Sequence, residues 1–266
     1  MRADKFFAKK FGSRTKAAEA IEKGFVLVNG KSISPKYEVS EKDCVEFIEP
    51  KEYFVSNGGY KLSKALDEFS FSPENMIFAD IGASTGGFTD CLLQRGAKKV
   101  YAVDVGESLL HESLQNDTRI IRMENVNARY LVKTDFPEEI DGIVADVSFI
   151  SLKYILPVLK EVVAKDGNIF VLIKPQFECE KKNIGKSGIV HTSAHGKIVE
   201  KVLGYCADVG LVPMLITNAP IRKGKNIEYV LWLTSKEQGF QKESSILKKV
   251  TEIVQNNARK NLDAER

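Results

Sequence analysis

The sequence predicts an α/β protein in which an open, mostly parallel sheet of seven strands follows a small N-terminal α+β module. Two patterns and the size of the chain support this prediction. From Gly58 to about Ser235, apolar strand patterns alternate with amphipathic helical patterns, whereas the first 50 residues show two helical patterns and a hairpin signal. The 266 residues, 43% of them hydrophobic, suffice for one core of ordinary size and a second, smaller one.

The N-terminal module is predicted from short patterns of different period. Residues 2–10 and 13–23 have helical spacing, and Ser13 is a suitable N-cap for the second helix. Two alternating apolar stretches follow, FVLVNGKSIS and CVEFIEP, and the Asn29-Gly30 pair in the first of them is typical of a tight β-hairpin turn. The expected unit is therefore two helices and a short hairpin.

The charge of the chain is concentrated in this module. The whole chain carries a formal net charge of +3, yet residues 1–36 contain nine basic residues against three acids. This surplus indicates a nucleic-acid surface, and the competing interpretation is a solvated helix face in a mildly basic protein. The basic residues that we expect to contact RNA here are Arg2, Lys5, Lys9, Lys10, Arg14, Lys16 and Lys31.

The larger region is predicted strand by strand. The expected strands cover residues 77–81, 99–105, 119–123, 142–146, 168–173, 211–218 and 226–234. The clearest helical patterns between them cover residues 89–95, 152–165 and 194–209. A final helix is expected from the spacing of Ile246, Leu247, Val250, Ile253 and Val254. In such a sheet, ligands bind at the carboxyl ends of the strands.

The strongest local signal is the segment FADIGASTGGFTDCLL, in which a strand ending at Asp80 enters a helix through a glycine-rich turn. Glycines let the backbone approach a cofactor closely, and Asp104 at the tip of the next strand can accept both hydroxyls of a ribose. These features suit NAD and S-adenosylmethionine equally. Because Asp80 would repel a pyrophosphate and favour a cation, we expect S-adenosylmethionine. The candidate cofactor-binding residues are Asp80, Gly82, Ser84, Thr85, Gly86, Gly87, Phe88, Asp104, Val105, Asn125, Asn127 and Asp146.

Four further charged residues belong to the same edge of the predicted sheet. Asp146 and Lys174 end two strands, Glu228 opens or lies within the last one, and Lys61 lies near the start of a helix before the sheet. Any one of them alone is most simply a solvated or capping residue. Together, two lysines and two carboxylates around a methyl-donor pocket indicate a site in which a lysine acts as a base.

The motifs SNGGYKL, DIGASTGGFTD, VDVG, NVNARYL, ADVSFISL, LIKPQFE and NIEYVLWL follow the basic module in this order. In this arrangement they resemble the TlyA (hemolysin A) family of ribosomal RNA 2'-O-methyltransferases, whose catalytic domain is similar to FtsJ. The stretch RADKFFAKKFGSRTKAAEAIEKGFVLVNGKSI resembles an S-four type RNA-binding domain. The resemblance implies a Rossmann-like class I methyltransferase sheet, with an RNA-binding domain at 1–50, a linker at 51–57 and the methyltransferase domain at 58–266.

The resemblance also implies a catalytic tetrad of Lys61, Asp146, Lys174 and Glu228 and transfer of a methyl group to a ribose hydroxyl, expected to be that of a cytidine. Lys174 is the expected base, tuned by Lys61 and Asp146, while Glu228 anchors Lys61 or the ribose. Where the family usually has an arginine before the first Gly-Gly pair, this chain has Asn57. Lys182, in the basic segment 176–193, is a further candidate for RNA contact.

The sequence also bears on whether the protein belongs to other functional classes. The four cysteines form no CxxC pair, and His191 and His195 lack the partners of a metal site, so we expect no metal. No apolar run is long enough to span a bilayer, which predicts a soluble, cytoplasmic protein and argues against a membrane-lysing one. The expected partners are ribosomal RNA or ribosomal subunits, bound by a monomer. The alternatives that remain are a non-catalytic RNA-binding or assembly factor and an NAD-dependent oxidoreductase.

Overall fold

A computed structural model describes residues 1–22, 24–48, 53–222, 224–236 and 243–263, with side chains described up to residue 258. The chain divides into two compact units, Met1–Tyr53 and Phe54–Arg266, called here the N-terminal and the C-terminal unit. Position 23, at the end of the second predicted helix, lies outside the described residues, as do positions 49–52, at the boundary between the predicted first domain and linker, and 264–266.

The N-terminal unit has the predicted hairpin. Its helices are α1 (Ala3–Phe6), α2 (Ala8–Phe11) and α3 (Arg14–Glu22), and its strands are β1 (Val26–Val28), β2 (Lys31–Ser32) and β3 (Val45–Phe47), in the antiparallel order β2-β1-β3. Asn29 and Gly30 both have positive φ angles, 53° and 72°, as a two-residue hairpin turn requires. Ser13 accepts a hydrogen bond from the backbone N–H of Lys16, so it caps α3 as expected.

One predicted helix of this unit is divided in two. Residues 2–10 have helical spacing, but α1 ends at Phe6 and α2 begins at Ala8. The backbone of Phe7 between them (φ −88°, ψ −1°) departs from helical ψ. The Phe7 side chain is buried in the small core together with Ala3, Ala17 and Ile21. The sequence prediction failed here because periodicity shows which residues face the core and not whether the axis turns between them.

The C-terminal unit contains the predicted seven-stranded sheet. Its first half consists of α4 (Asn57–Phe69), β4 (Ile77–Ile81), α5 (Gly87–Gln94), β5 (Lys99–Val103), β6 (Ile120–Met123) and β7 (Ile140–Ala145). Its second half consists of α6 (Leu156–Val162), β8 (Val163–Ile173), α7 (Pro175–Glu178), α8 (His195–Asp208), β9 (Val212–Asn218), β10 (Tyr229–Thr234) and α9 (Glu243–Asp263).

The strand order is β6-β5-β4-β7-β8-β10-β9. The first five strands in this order are parallel, and β10 runs antiparallel to both β8 and β9. Two apolar layers cover the sheet, one on each face, as the alternation of strands and helices predicts. The last helix packs Ile246, Val250 and Ile253 into one of these layers.

The predicted helix over 152–165 is wrong at its end. A 3₁₀ turn covers Leu152–Tyr154, α6 ends at Val162, and β8 begins at the next residue. The pairing of β8 with β7 shifts its register between Ile140 and Gly142, and Asp166 has a φ of 65° at this irregularity. An apolar run such as 162–164 fits a buried helix end and a buried strand equally, so periodicity could not locate the change.

Candidate active site

The turn between β4 and α5 brings backbone to the carboxyl edge of the sheet. Gly82, Ser84 and Gly86 have positive φ angles of 82°, 49° and 88°. A Cβ atom on Gly82 would lie 3.0 Å from the carbonyl oxygen of Asp146, so only glycine lets the turn approach β7 this closely. The N–H groups of Gly82 and Ala83 donate to the carbonyl oxygen of Val103, which fixes the turn against β5.

Two adjoining cavities lie at this edge, one of about 710 Å³ and one of about 180 Å³. The larger volume is in the range of sites for small molecules and cofactors. Of the predicted cofactor residues, the larger cavity is lined by Gly82, Ser84, Asp104, Val105, Asn127 and Asp146, and the smaller by Gly82, Ser84, Thr85, Gly87, Phe88 and Asp146. Gly86, Asp80 and Asn125 line neither cavity.

Asp104 is held in one orientation by backbone donors. The N–H of Ser84 donates to its Oδ2 at 2.8 Å, and the N–H of Gly106 donates to its Oδ1 at 2.9 Å. A carboxylate has about four lone-pair directions, so each oxygen can still accept a hydrogen bond from a hydroxyl. This arrangement fits the ribose of a nucleoside cofactor in the larger cavity.

Asp80 was predicted to bind the cofactor, but its side chain does not line either cavity. The side chain is fully buried, and its Oδ2 accepts from the N–H and the hydroxyl of Thr89 at 2.9 and 2.7 Å, in the first turn of α5. Its Oδ1 has no hydrogen-bond partner among the described residues. Burial raises the pKa of Asp80 to about 7, against the lowering effect of the Thr89 hydrogen bonds. Asp80 therefore supports the turn from below and does not form the cavity wall.

The four residues of the predicted tetrad come together in a chain of ion pairs. Lys61 Nζ lies 2.8 Å from Glu228 Oε2 and 3.4 Å from Asp146 Oδ2, and Lys174 Nζ lies 2.5 Å from Asp146 Oδ1. Asp146 therefore bridges the two lysines. Helix α4, the ends of β7 and β8, and the residue before β10 supply these side chains.

The surroundings of Lys61 keep it charged. Burial by itself would lower the pKa of this lysine, but the adjacent carboxylates of Asp146 and Glu228 outweigh that effect and raise it above its ordinary value. A lysine held in the ammonium form donates hydrogen bonds and cannot accept a proton. Lys61 is thus a hydrogen-bond donor in this arrangement.

Two contributors to the site were not among the predicted site residues. The hydroxyl of Ser148 accepts a hydrogen bond of 2.7 Å from Lys174 Nζ, and Ser148 lines both cavities. The carboxylate of Glu178 accepts from the hydroxyl of Ser151 and the N–H of Leu152, both at 2.7 Å. It thereby ties the segment after Lys174 to the segment after Asp146. Ser148 lies two residues after Asp146 and Glu178 four after Lys174, spacings that could have suggested both.

The predicted RNA-contact residues of the N-terminal unit differ in their environment. Lys5, Lys9, Lys10, Lys16 and Lys31 are exposed, and Lys10 Nζ lies 4.1 Å from the centroid of the Phe47 ring. Arg2 is half-buried and Arg14 is exposed, and both bind Asp4. Lys182, in the C-terminal unit, is exposed and pairs with Glu180 at 2.8 Å.

Within the described part of the chain, no helix is long and apolar enough to cross a membrane. The same residues contain no group of three or more His, Cys, Asp or Glu side chains that could hold a metal ion.

Comparisons with known proteins agree with the two-unit architecture. Residues 54–235 match the family model of FtsJ-like methyltransferases, and residues 1–45 match that of the S4 domain. Hemolysin A of Brachyspira hyodysenteriae is 43% identical over 222 residues, which cover 82% of this chain and 92% of the relative.

A second relative has a more specific name. The 16S/23S rRNA (cytidine-2'-O)-methyltransferase TlyA of Mycobacterium tuberculosis is 38% identical over 225 residues, 83% of this chain and 84% of the relative. A solved structure of a hemolysin-type protein from Streptococcus thermophilus superposes with a TM-score of 0.76 at 38% identity and covers 99% of this chain and 98% of its own.

Proposed function

Because the chain belongs to the TlyA (hemolysin A) family of ribosomal RNA 2'-O-methyltransferases, we propose that it methylates the 2'-hydroxyl of a cytidine in ribosomal RNA with S-adenosylmethionine. The observation that carries this proposal is the ion-pair chain Glu228–Lys61–Asp146–Lys174 beside a cavity built by a glycine turn. Two lysines around one partly buried carboxylate are not required to maintain the methyltransferase fold of a non-catalytic protein.

The glycine turn and Asp104 fit the proposed cofactor. Gly82 lets the turn lie against the backbone of Asp146, where a Cβ would come within 3.0 Å of the carbonyl oxygen, and the ordered carboxylate of Asp104 is a partner for ribose hydroxyls. Val105 and Asn127 line the same cavity and would contact the nucleoside. When bound, S-adenosylmethionine supplies a methyl group on a positively charged sulfur, which makes a separate metal activator unnecessary.

The tetrad supplies alignment and a proton acceptor. A ribose hydroxyl is a weak nucleophile, so its proton must be removed and its oxygen held in place. Lys174 Nζ is the proposed acceptor of this proton. Lys61, held as an ammonium by Asp146 and Glu228, would donate a hydrogen bond to the substrate oxygen or to Asp146, and Asp146 orients both lysines.

The N-terminal unit is proposed to hold the RNA. Its exposed lysines and its arginines give a local charge of +6 over residues 1–36, which suits a phosphate backbone. Binding through phosphates favours recognition of RNA shape over base sequence. We further propose that the enzyme acts as a monomer in the cytoplasm, with ribosomal RNA or ribosomal subunits as its substrate, and with a domain boundary at residues 51–57.

One experiment tests this function and its base together. Purified protein is incubated with labelled S-adenosylmethionine and ribosomal subunits from a strain without the enzyme, and the labelled nucleotide is mapped. We expect label on a ribose, and Lys174→Ala should reduce the rate by about 10²-fold or more while leaving RNA affinity nearly unchanged.

The matched control is Lys165→Ala, which removes an exposed lysine at the other end of β8 and should retain full activity. Turnover retained by Lys174→Ala would remove Lys174 from the role of base. Absence of label on ribosomal RNA with the unaltered protein would leave a non-catalytic RNA-binding factor as the function.

A further inference from the structure

An acidic residue, Asp4, lies within the most basic part of the chain. Asp4, in the first turn of α1, has a side chain only 6% exposed, and its two neighbours in space are the guanidinium groups of Arg2 and Arg14. An acid at this place weakens the attraction of the surface for phosphate. Its presence therefore needs a reason other than charge.

The hydrogen bonds around Asp4 fix both arginines. Arg2 donates from Nε to Oδ1 at 3.2 Å and from Nη2 to Oδ2 at 2.8 Å, a bidentate pair. Arg14 donates from Nε to Oδ2 at 3.0 Å, and its Nη2 lies 3.0 Å from the same oxygen. The two guanidinium groups therefore share one carboxylate oxygen and are held next to each other, although Arg14 lies ten positions after Asp4 in the sequence.

Each arginine keeps donors for a further partner. A guanidinium has five N–H donors in a rigid plane, and Nη1 of Arg2 and of Arg14 has no hydrogen-bond partner among the described residues. The two side chains remain 41% and 56% exposed. Three charges make up this cluster, two positive and one negative, so a net positive charge is left for an anion. The hydrogen bonds from Arg2, followed by those from Arg14, hold the pKa of Asp4 below its usual range, so the cluster persists at neutral pH.

We propose that Asp4 is a positioning residue that orders Arg2 and Arg14 into a paired guanidinium site for phosphate groups of RNA. This inference rests on the proposed RNA-binding role of the N-terminal unit. Long side chains normally lose conformational freedom when they bind, and Asp4 imposes that order beforehand. Planar guanidinium groups suit bidentate contacts with phosphate oxygens.

The test uses the full-length protein and purified ribosomal subunits, because charge and positioning predict opposite results. Asp4→Asn removes one negative charge from a basic surface, so simple electrostatics predicts tighter binding. Positioning predicts that the dissociation constant rises about tenfold at low salt, since an asparagine has one acceptor oxygen in place of two and lacks the charge that holds both arginines. The slope of log K against log salt should become shallower by the amount expected for about one lost phosphate contact.

Glu19→Gln is the matched control, because it removes one negative charge from an exposed position on α3 without touching the cluster. This variant should bind equally well or slightly more tightly. Arg14→Lys keeps every charge and loses only the planar donor geometry. We expect it to weaken binding like Asp4→Asn, and it decides the question if Asp4→Asn fails to fold, which thermal unfolding would report.

Methyl transfer separates this inference from the proposed function. Asp4→Asn should raise the KM for ribosomal subunits and leave kcat unchanged, since the tetrad is intact. Binding by Asp4→Asn as tight as that of Glu19→Gln, or binding by Arg14→Lys as tight as that of the unaltered protein, would overturn the positioning role while methylation continued. Loss of both RNA binding and methylation in the unaltered protein would instead refute the proposed function.

Discussion

At the scale of single residues, Ser148 is a hydrogen-bonding partner of the Lys174 side chain. Its hydroxyl oxygen is 2.7 Å from Lys174 Nζ, which also lies 2.5 Å from Asp146 Oδ1. A lysine has four rotatable bonds before its terminal amine, so two fixed partners define its position far better than one. Correct placement of Lys174, the proposed base, should affect the chemical step more than substrate binding.

We therefore predict that Ser148→Ala lowers kcat about tenfold with little change in the KM for RNA. Ser148→Thr, which keeps the hydroxyl, should recover most of the rate. Steady-state kinetics with ribosomal subunits measure both values. An unchanged kcat in Ser148→Ala would show that Asp146 alone positions the base.

Asp80 gives a pH dependence to folding. Its pKa of about 7 in the folded protein lies above the value near 3.9 of an unfolded aspartate, because burial disfavours its charged form. The unfolded chain thus releases this proton at a lower pH than the folded chain. The contribution of this group to stability is unchanged below about pH 4, falls as the pH rises from about 4 to 7, and levels off above pH 7.

Asp80→Asn should reduce this loss of stability with rising pH. An asparagine can still accept from Thr89 and carries no proton to release, so the fall in unfolding free energy between pH 5 and pH 8 should shrink by about 2 kcal/mol. Urea unfolding at both values measures it. Glu200→Gln, an exposed acid on α8, is the control and should keep the full fall. An equal fall in both variants would mean that Asp80 is ionised well below pH 7.

At the scale of elements, the strands were predictable and their ends were less so. The strand 77–81 has the predicted bounds, and all five of its residues are buried. The last strand begins only at Tyr229, three residues after the predicted start, so Glu228 precedes it. The division of the first helix at Phe7 and the change from α6 to β8 depend on packing between elements that are distant in sequence.

The site, too, could be predicted only in part from the sequence. The carboxyl edge of the sheet, the glycine turn and the charged residues at strand ends follow from the order of elements. That Asp80 is buried beneath the turn, and that Arg2 and Arg14 share Asp4, could not be predicted because both depend on side-chain directions. Sequence patterns identify which charges gather, and three-dimensional packing decides which of them meet.

The contact between α4 and α5 depends on one glycine. A Cβ atom on Gly87 would strike the hydroxyl of Ser56 and lie 2.9 Å from the N–H nitrogen of Gly59, at the start of the helix that carries Lys61. Gly87→Ala should therefore destabilise the protein by about 1–3 kcal/mol and lower the rate of methyl transfer, since α4 must shift.

Gly204→Ala is the comparison for this variant. Gly204 lies inside α8 with open space around its Cβ position, so the substitution should stabilise the protein by about 0.5–1 kcal/mol and leave activity unchanged. Thermal unfolding and initial rates measure both variants. Equal stability of the two would show that α4 and α5 tolerate a methyl group between them.

At the scale of the whole molecule, charge is distributed unevenly. Residues 1–36 carry a net +6 while the chain as a whole carries +3, so the remaining residues are net acidic. The affinity for RNA should accordingly depend on the N-terminal unit and fall steeply with salt. Cofactor affinity should vary little with salt, because a single small ligand displaces few counterions.

The variant Lys9→Gln with Lys10→Gln tests this asymmetry. Each lost phosphate contact should reduce the slope of log K against log salt by about 0.9, so the slope of the double variant should be smaller by about 2. The control removes two exposed lysines from the C-terminal unit, Lys98→Gln with Lys165→Gln, and should keep the slope. Equal slopes in all three proteins would place the main phosphate contacts elsewhere.

The position of β10 has a consequence for how the protein is made. This strand is synthesised last of the sheet, yet it lies between β8 and β9, and Glu228 immediately precedes it. While a nascent chain has emerged only as far as β9, that strand has no neighbour, β8 presents an open edge, and Lys61 lacks one of its two acidic partners. Products of premature termination before β10 should therefore be inactive, prone to aggregate through these strand edges, and dependent on chaperones until they are degraded.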